Sequence, residues 1–350
     1  MDLKQILKPV WKGGEVIAES AMYLEGNEEV KLMFPPKEIR AVRDFTGALL
    51  RAGADYEQTA EGIRFLPAGN APRLSREKMF PKDAESDFFA LKEGGKIFFT
   101  EGGFFHRHQV FVDYAHEPSA AYEPETVKGE LSATKKLLEE GKLNLLFYGD
   151  SITCGANASA EIYAIPFQNA YPKLVLEGLA ARYPYAQISY ANTAEGGQTS
   201  EWGLKNVQER LIDRAPDLLV LAFGMNDGTW FKDEGAFDGN IRGILNAVRE
   251  TLPDTEIILV SPVLPNPLPC MKFDDGALVP FCGIQEKYPP VLRRIAEDYG
   301  VSFVNMTAFH QKLLQRKRYY EMTGNNVNHP NDFLHRCYAQ IILSLLEEEK

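Results

Sequence analysis

The spacing of apolar and polar positions divides the chain into three stretches of different character. Over residues 1–117 the apolar residues come in short runs: Val16–Leu24, Val30–Phe34, Ile39–Val42, Ile63–Leu66, Ile97–Thr100 and Gln109–Tyr114. Gly, Pro and charge clusters separate them. Val110, Val112 and Tyr114 alternate with Phe111 and Asp113, the period of two that a strand imposes. No long helical stripe occurs here, so the pattern predicts a small β-sandwich of jelly-roll type. Residues 118–142 form a connector. Pro118 and Pro124 punctuate extended chain, and Val127–Glu140 then reads as a polar helix ended by Gly141.

From residue 143 to 350 strand-like and helix-like patterns alternate. Strands are predicted at Leu143–Tyr148, Gln187–Ala191, Asp217–Phe223, Glu256–Val260 and Val301–Val304. Helices are predicted near Phe167–Tyr183, Glu201–Arg214, Asp238–Thr251 and Gln285–Tyr299, with a last one at about Asp332–Glu348. Five strands with intervening helices specify an α/β fold with a doubly wound, parallel three-layer sheet. One stretch breaks the rhythm. Leu264–Gly283 is long, Pro-rich and carries Phe273 and Phe281; a loop of that kind reads as a lid or binding loop.

The first strand of this second half ends abruptly in Gly149-Asp150-Ser151. In open α/β sheets ligands bind outside the carboxyl ends of the strands, so a serine on a turn there is a candidate nucleophile. Alone it reads more often as a cap of the next helix. The following strands run into Asn192-Thr-Ala-Glu-Gly-Gly-Gln-Thr-Ser and Gly224-Met-Asn-Asp-Gly, and the carboxyl end carries Asn325-Asn-Val-Asn-His-Pro-Asn-Asp. Paired glycines let backbone N–H groups approach a ligand. Asn226 is a neutral donor suited to an oxyanion, and His329 is held extended before Pro330. Each has an ordinary loop reading; together they lie at one rim, in the order Ser, Gly, Asn, His.

These blocks resemble those of the SGNH (GDSL-type) hydrolases, esterases and acyl hydrolases of flavodoxin-like fold. The resemblance implies that Ser151 is the nucleophile. It places the Ser151 and Gly197 N–H groups and the Asn226 amide in an oxyanion hole, and makes His329 the general base. One position departs: the residue three before the histidine, normally Asp, is Asn326. An Asp fixes the imidazole tautomer and stabilises the imidazolium, whereas an amide offers no charge. A Ser-His dyad, an orienting group from elsewhere, or a weakened enzyme would each account for this. The dyad is preferred, with a carbonyl of Asn326 or Asn328 orienting the ring. The two-part layout resembles the two-domain carbohydrate esterases of that superfamily.

Charge and composition narrow the partners. Thirty-eight basic residues against 49 acidic give a net charge of −11, which argues against a nucleic-acid surface. No run approaches the ~18 apolar residues of a membrane span. The start has no apolar signal region, and Cys154, Cys270, Cys282 and Cys337 lack metal-finger spacing. Reduced thiols in a cytoplasmic protein are expected; a Cys270–Cys282 bridge would require export. Neither metal nor organic cofactor is required, and oligomeric state stays open. Trp202 and Trp230 follow the second and third blocks on the rim, where flat aromatic faces suit sugars. Together with the accessory sandwich of the resembled two-domain esterases, this makes an acetylated oligosaccharide of hemicellulose type the expected substrate. A lipase or thioesterase comes second, and a carbohydrate-binding pseudoenzyme is the non-catalytic alternative.

Several other residues read as structural. Ser75-Arg-Glu-Lys78 and Ser132-Ala-Thr-Lys135 match S-x-x-K without its companion motifs. His106 and His108 would need one strand face to share a metal. His335 falls inside the last helix, Asp332 at its start, and Asp150 and Asp227 hold their loops.

Overall fold

A strand that is apolar at every position needs cover on both faces, and the central sheet supplies it. The computed structural model describes residues 2–83, 85–230 and 233–347. Its central strands are β1 (Lys142–Gly149), β2 (Gln187–Asn192), β3 (Leu218–Ala222), β4 (Glu256–Val260) and β5 (Ser302–Val304). They are mutually parallel and lie in the order β2-β1-β3-β4-β5, the flavodoxin-like order. Leu145, Phe147, Val220, Ile258 and Val304 enter one core with the helices Tyr171–Arg182, Met306–Leu314 and Asp332–Leu345. Leu146, Tyr148, Leu221, Leu259 and Phe303 enter another with Glu234–Thr251 and Tyr288–Tyr299. The expected doubly wound α/β fold is what this part of the chain forms.

Boundaries differ where side chains compete with the backbone. The helix expected over Glu201–Arg214 is broken into Ser200–Lys205, Val207–Arg210 and a 3-10 turn. At the break Asn206 leaves helical geometry and its side-chain amide donates to the Trp202 carbonyl at 2.8 Å. The helix expected from Val127 begins only at Ser132. Thr126–Val127 instead pairs antiparallel with β5 and adds a sixth strand to the sheet. The last helix ends at Leu345, and its expected end at Glu348 lies outside the described residues. Asn331, not Asp332, caps that helix; Asp332 accepts from the Ser159 N–H at 2.8 Å.

Residues 15–116 form mainly strands, as the pattern predicts, with short helical turns at Arg76–Met79 and Phe104–Arg107. A five-stranded sheet is built around Glu15–Leu24, Pro36–Asp44 and Gln109–His116, and a three-stranded one holds Glu29–Lys31, Tyr56–Gln58 and Gly62–Phe65. Tyr23 and Phe65 stack across them at 5.0 Å. Glu15–Leu24 is buried at eight of its ten positions rather than at alternate ones, because its other face meets the last helix and the segment before it. A bulge between Val16 and Glu19, with Ala18 at φ 51°, turns carbonyls of Ile17 and Ala18 toward Arg336, which donates to both. Beside it, Lys317 and Glu19 form a fully buried ion pair at 2.6 Å.

Leu264–Gly283 is not an irregular lid. Its strands Pro269–Lys272 and Leu278–Pro280 form a hairpin that pairs with Phe88–Leu91, next to Lys96–Phe98. The result is a four-stranded sheet assembled from two distant parts of the chain. It leads directly into the functional site.

Candidate active site

At the carboxyl end of β1 the backbone must turn sharply beside β3. A Cβ on Gly149 would stand 2.3 Å from the Ala222 carbonyl oxygen, so only glycine fits. Asp150 then caps the short helix Ser151–Cys154 by accepting from the Ile152 N–H at 3.0 Å. Burial pushes its carboxyl up to about 7, with the nearby Asp227 charge adding to the effect. Ser151 opens the helix with 9% of its surface exposed. Asp150 and Asp227 both serve as loop anchors, Asp227 accepting from the Ser200 N–H and hydroxyl.

The loop after β2 brings Gly196 and Gly197 alongside. A Cβ on Gly196 would lie 3.9 Å from Ser151 Cβ. Gly197 has φ +75° and open space where a side chain would be, so its peptide borders solvent. Asn226, on the turn after β3, donates its side-chain amide to the Gln198 carbonyl at 2.9 Å. That bond uses one amide hydrogen and ties Asn226 to the residue after Gly197.

His329 completes the rim, its side chain 13% exposed. Nε2 lies 3.0 Å from Ser151 Oγ. Nδ1 is 2.7 Å from Asn157 Oδ1, and 3.4 Å from Glu101 Oε2. An Nδ1–H donated to Asn157 leaves Nε2 as the acceptor of the serine proton, the tautomer a general base requires. The histidine loop is closed by Asn325, whose Oδ1 accepts from the N–H groups of Val327, Asn328 and His329 at 2.9–3.1 Å.

Asn326 is not the orienting group. It adopts φ 69° and turns away from the imidazole; its amide donates to the Phe98 carbonyl at 2.9 Å. Asn266 in turn donates to its Oδ1 and its backbone carbonyl. The side chain thus pins the loop to the strand Lys96–Phe98. Asn328 contacts Asn325 rather than the ring. The residues at Nδ1, Asn157 and Glu101, escape sequence reading. Asn157 follows the helix Ser151–Cys154 in a left-handed conformation (φ 62°) that Asn tolerates, which nothing in the sequence around it marks. Glu101 precedes two glycines in a segment with no motif.

The two tryptophans part company. Trp202 packs against Tyr148, ring centroids 6.0 Å apart, with the Arg210 guanidinium 5.3 Å from its own centroid; it is partly buried against the second core. Trp230 follows one turn after Asn226, bonded to its carbonyl at 2.9 Å, and is 53% exposed.

The remaining candidates are structural. Ser75 caps a helical turn, and Ser132 starts a helix. His106 lies on the helical turn Phe104–Arg107 rather than on a strand, facing the Ile165 carbonyl, while His108 binds the Phe104 carbonyl at 2.9 Å. Buried His335 is pushed down to about 4 by desolvation. Among the described residues no group of three or more His, Cys, Asp or Glu could hold a metal ion, all four cysteines are free, and no helix is long and apolar enough to cross a membrane.

Residues 147–337 match the GDSL-like lipase/acylhydrolase family model, a span that holds every block of this rim. The chain belongs to that family. No curated protein matches the chain. Similar solved structures include a two-domain esterase (CEX) active on acetylated mannans, co-crystallised with mannopentaose. It is 25% identical, with a TM-score of 0.48, over 63% of this chain and 54% of that one. The chain therefore spans about half the length of that relative. Another is Axe2, an acetylxylan esterase from Geobacillus stearothermophilus, 23% identical with a TM-score of 0.47 over 60% of this chain and 96% of that one.

Proposed function

We propose that the protein is a serine esterase that removes acetyl or other short acyl groups from acetylated carbohydrate through a Ser-His acyl-enzyme cycle. The observation that carries this reading is the imidazole Nε2 at 3.0 Å from Ser151 Oγ, with an acceptor at 2.7 Å fixing the opposite nitrogen. His329 takes the Oγ proton as Oγ attacks the ester carbonyl. The oxyanion sits among the Ser151 and Gly197 N–H groups and the second amide hydrogen of Asn226. His329 then gives its proton to the leaving alcohol, and water repeats the sequence on the acyl-enzyme.

The carbohydrate assignment rests on the rim. The open indole face of Trp230, one turn from Asn226, suits a sugar ring. Four free thiols fit a reducing, cytoplasmic setting.

The test is acetate release from acetylated xylo- and manno-oligosaccharides, beside Ser151→Ala and Asn226→Ala. Ser151→Ala abolishes release and labelling by a serine-directed phosphonate. Asn226→Ala loses about a hundredfold or more in kcat. Preference for octanoyl over acetyl esters defeats the acetylesterase assignment, and sugar binding without labelling indicates a pseudoenzyme.

A further inference from the structure

We propose that Glu101 is the positioning acid of His329, so that a residue from the amino-terminal β-rich part supplies the charge that position 326 lacks. This rests on the Ser151–His329 reading above. Asn157 Oδ1 accepts the Nδ1 hydrogen at 2.7 Å but is neutral. Once Nε2 takes the serine proton the ring is a cation, and the negative group placed against it is Glu101 Oε2, 3.4 Å from Nδ1.

The carboxylate is built into the site rather than left loose. Its Oε1 accepts from the Asn325 amide at 3.0 Å, and Asn325 also gathers the His329 backbone N–H. One asparagine therefore fixes both the carboxylate and the histidine's main chain. Asn157 spans the same two segments, its amide reaching the carbonyls of Gly102 and Gly324 at 3.4 Å. Desolvation pushes the Glu101 carboxyl up, but the hydrogen bond and charge of His329, with Asn325 and Asn157, outweigh it and hold the group below the usual range. It is ionised at neutral pH.

Glu101 is also 55% exposed, so its field is screened by solvent and its effect is smaller than that of a buried acid. Of the other ionisable groups, His335 in the last helix interacts electrostatically with His329, and the Arg107 guanidinium lies beside Gly103. Both stay in place when Glu101 is changed.

The experiment compares Glu101→Gln, Asn157→Asp and their combination with wild type on p-nitrophenyl acetate, with Ser151→Ala as control. Glu101→Gln is expected to lower kcat about tenfold with KM little changed. It should move the acidic midpoint of kcat/KM down by about one pH unit, because a lost negative charge disfavours the imidazolium. Adding Asn157→Asp, which sets a carboxylate on the 2.7 Å acceptor, is expected to restore most of kcat and the midpoint. Wild-type kcat and an unmoved midpoint in Glu101→Gln, beside an inactive Ser151→Ala, overturn the proposal alone. So does a fall in kcat with an unmoved midpoint and no rescue, which marks a structural role. Turnover by Ser151→Ala overturns the underlying reading as well.

Discussion

The two members of the Ser-His pair are held in contrasting ways. Ser151 stands on a turn whose supports come from neighbouring parallel strands: Gly149 against Ala222, Asp150 on its own helix, Gly196 beside Ser151 Cβ. His329 depends on groups from across the chain. Glu101 is 228 residues away in sequence and Asn157 172, while Asn326 anchors the loop to Phe98 and Asn266. The serine is a product of local geometry at a strand end. The histidine is a product of tertiary docking: the β-rich part and the Leu264–Gly283 stretch hold its loop through Glu101, Phe98 and Asn266.

The contrast can be broken most severely at the docking face. Lys317→Ala removes the cation paired with the fully buried Glu19 carboxyl and leaves it the Tyr114 hydroxyl and the Met33 N–H as donors. It is expected to cost about 3–5 kcal/mol, read as a lowered midpoint in urea unfolding. A midpoint within error of wild type would mean that the two parts are not joined there. A smaller effect sharpens the contrast at the histidine loop. Asn326→Asp restores the residue type usual for the family, yet it cannot donate to the Phe98 carbonyl. It should lose about 1–3 kcal/mol of stability and gain no activity. A rise in kcat would show that position 326 does reach the imidazole. The smallest effect belongs to the serine side: Trp230→Ala should raise KM for acetylated oligosaccharides by roughly 2- to 13-fold, equivalent to about 0.5–1.5 kcal/mol of lost binding, and leave p-nitrophenyl acetate turnover unchanged. Equal losses on both esters would put Trp230 in the fold rather than in sugar contact.

The same contrast explains what the sequence made legible. Strand ends are written in contiguous residues, so Gly149-Asp150-Ser151, the Gly196-Gly197 pair and Asn226 could be placed on one rim from pattern alone. The parallel sheet was legible because both its faces are apolar, residue by residue, along β1, β3 and β4. Glu101 and Asn157 were not, since nothing local to either implies a neighbour in the histidine loop. Asn326 misled for the same reason: its spacing from His329 matches the family, but φ 69° and the Phe98 carbonyl turn it elsewhere. Trp202 and Trp230 look alike in sequence, and only packing against Tyr148 separates them.

The four-stranded sheet that joins Phe88–Leu91 to Pro269–Lys272 has a consequence for the order in which the protein matures. Its strands are far apart in sequence, so closing that loop costs more chain entropy than joining β1 to β2 or β3. The parallel sheet, and the serine with it, can therefore consolidate while the histidine loop still lacks its dock on Phe98 and its partner at residue 101. The Ser151–His329 geometry is complete only once these distant parts of the chain have met. A molecule without those long-range contacts would hold Ser151 on its strand-end turn and leave His329 without its supports.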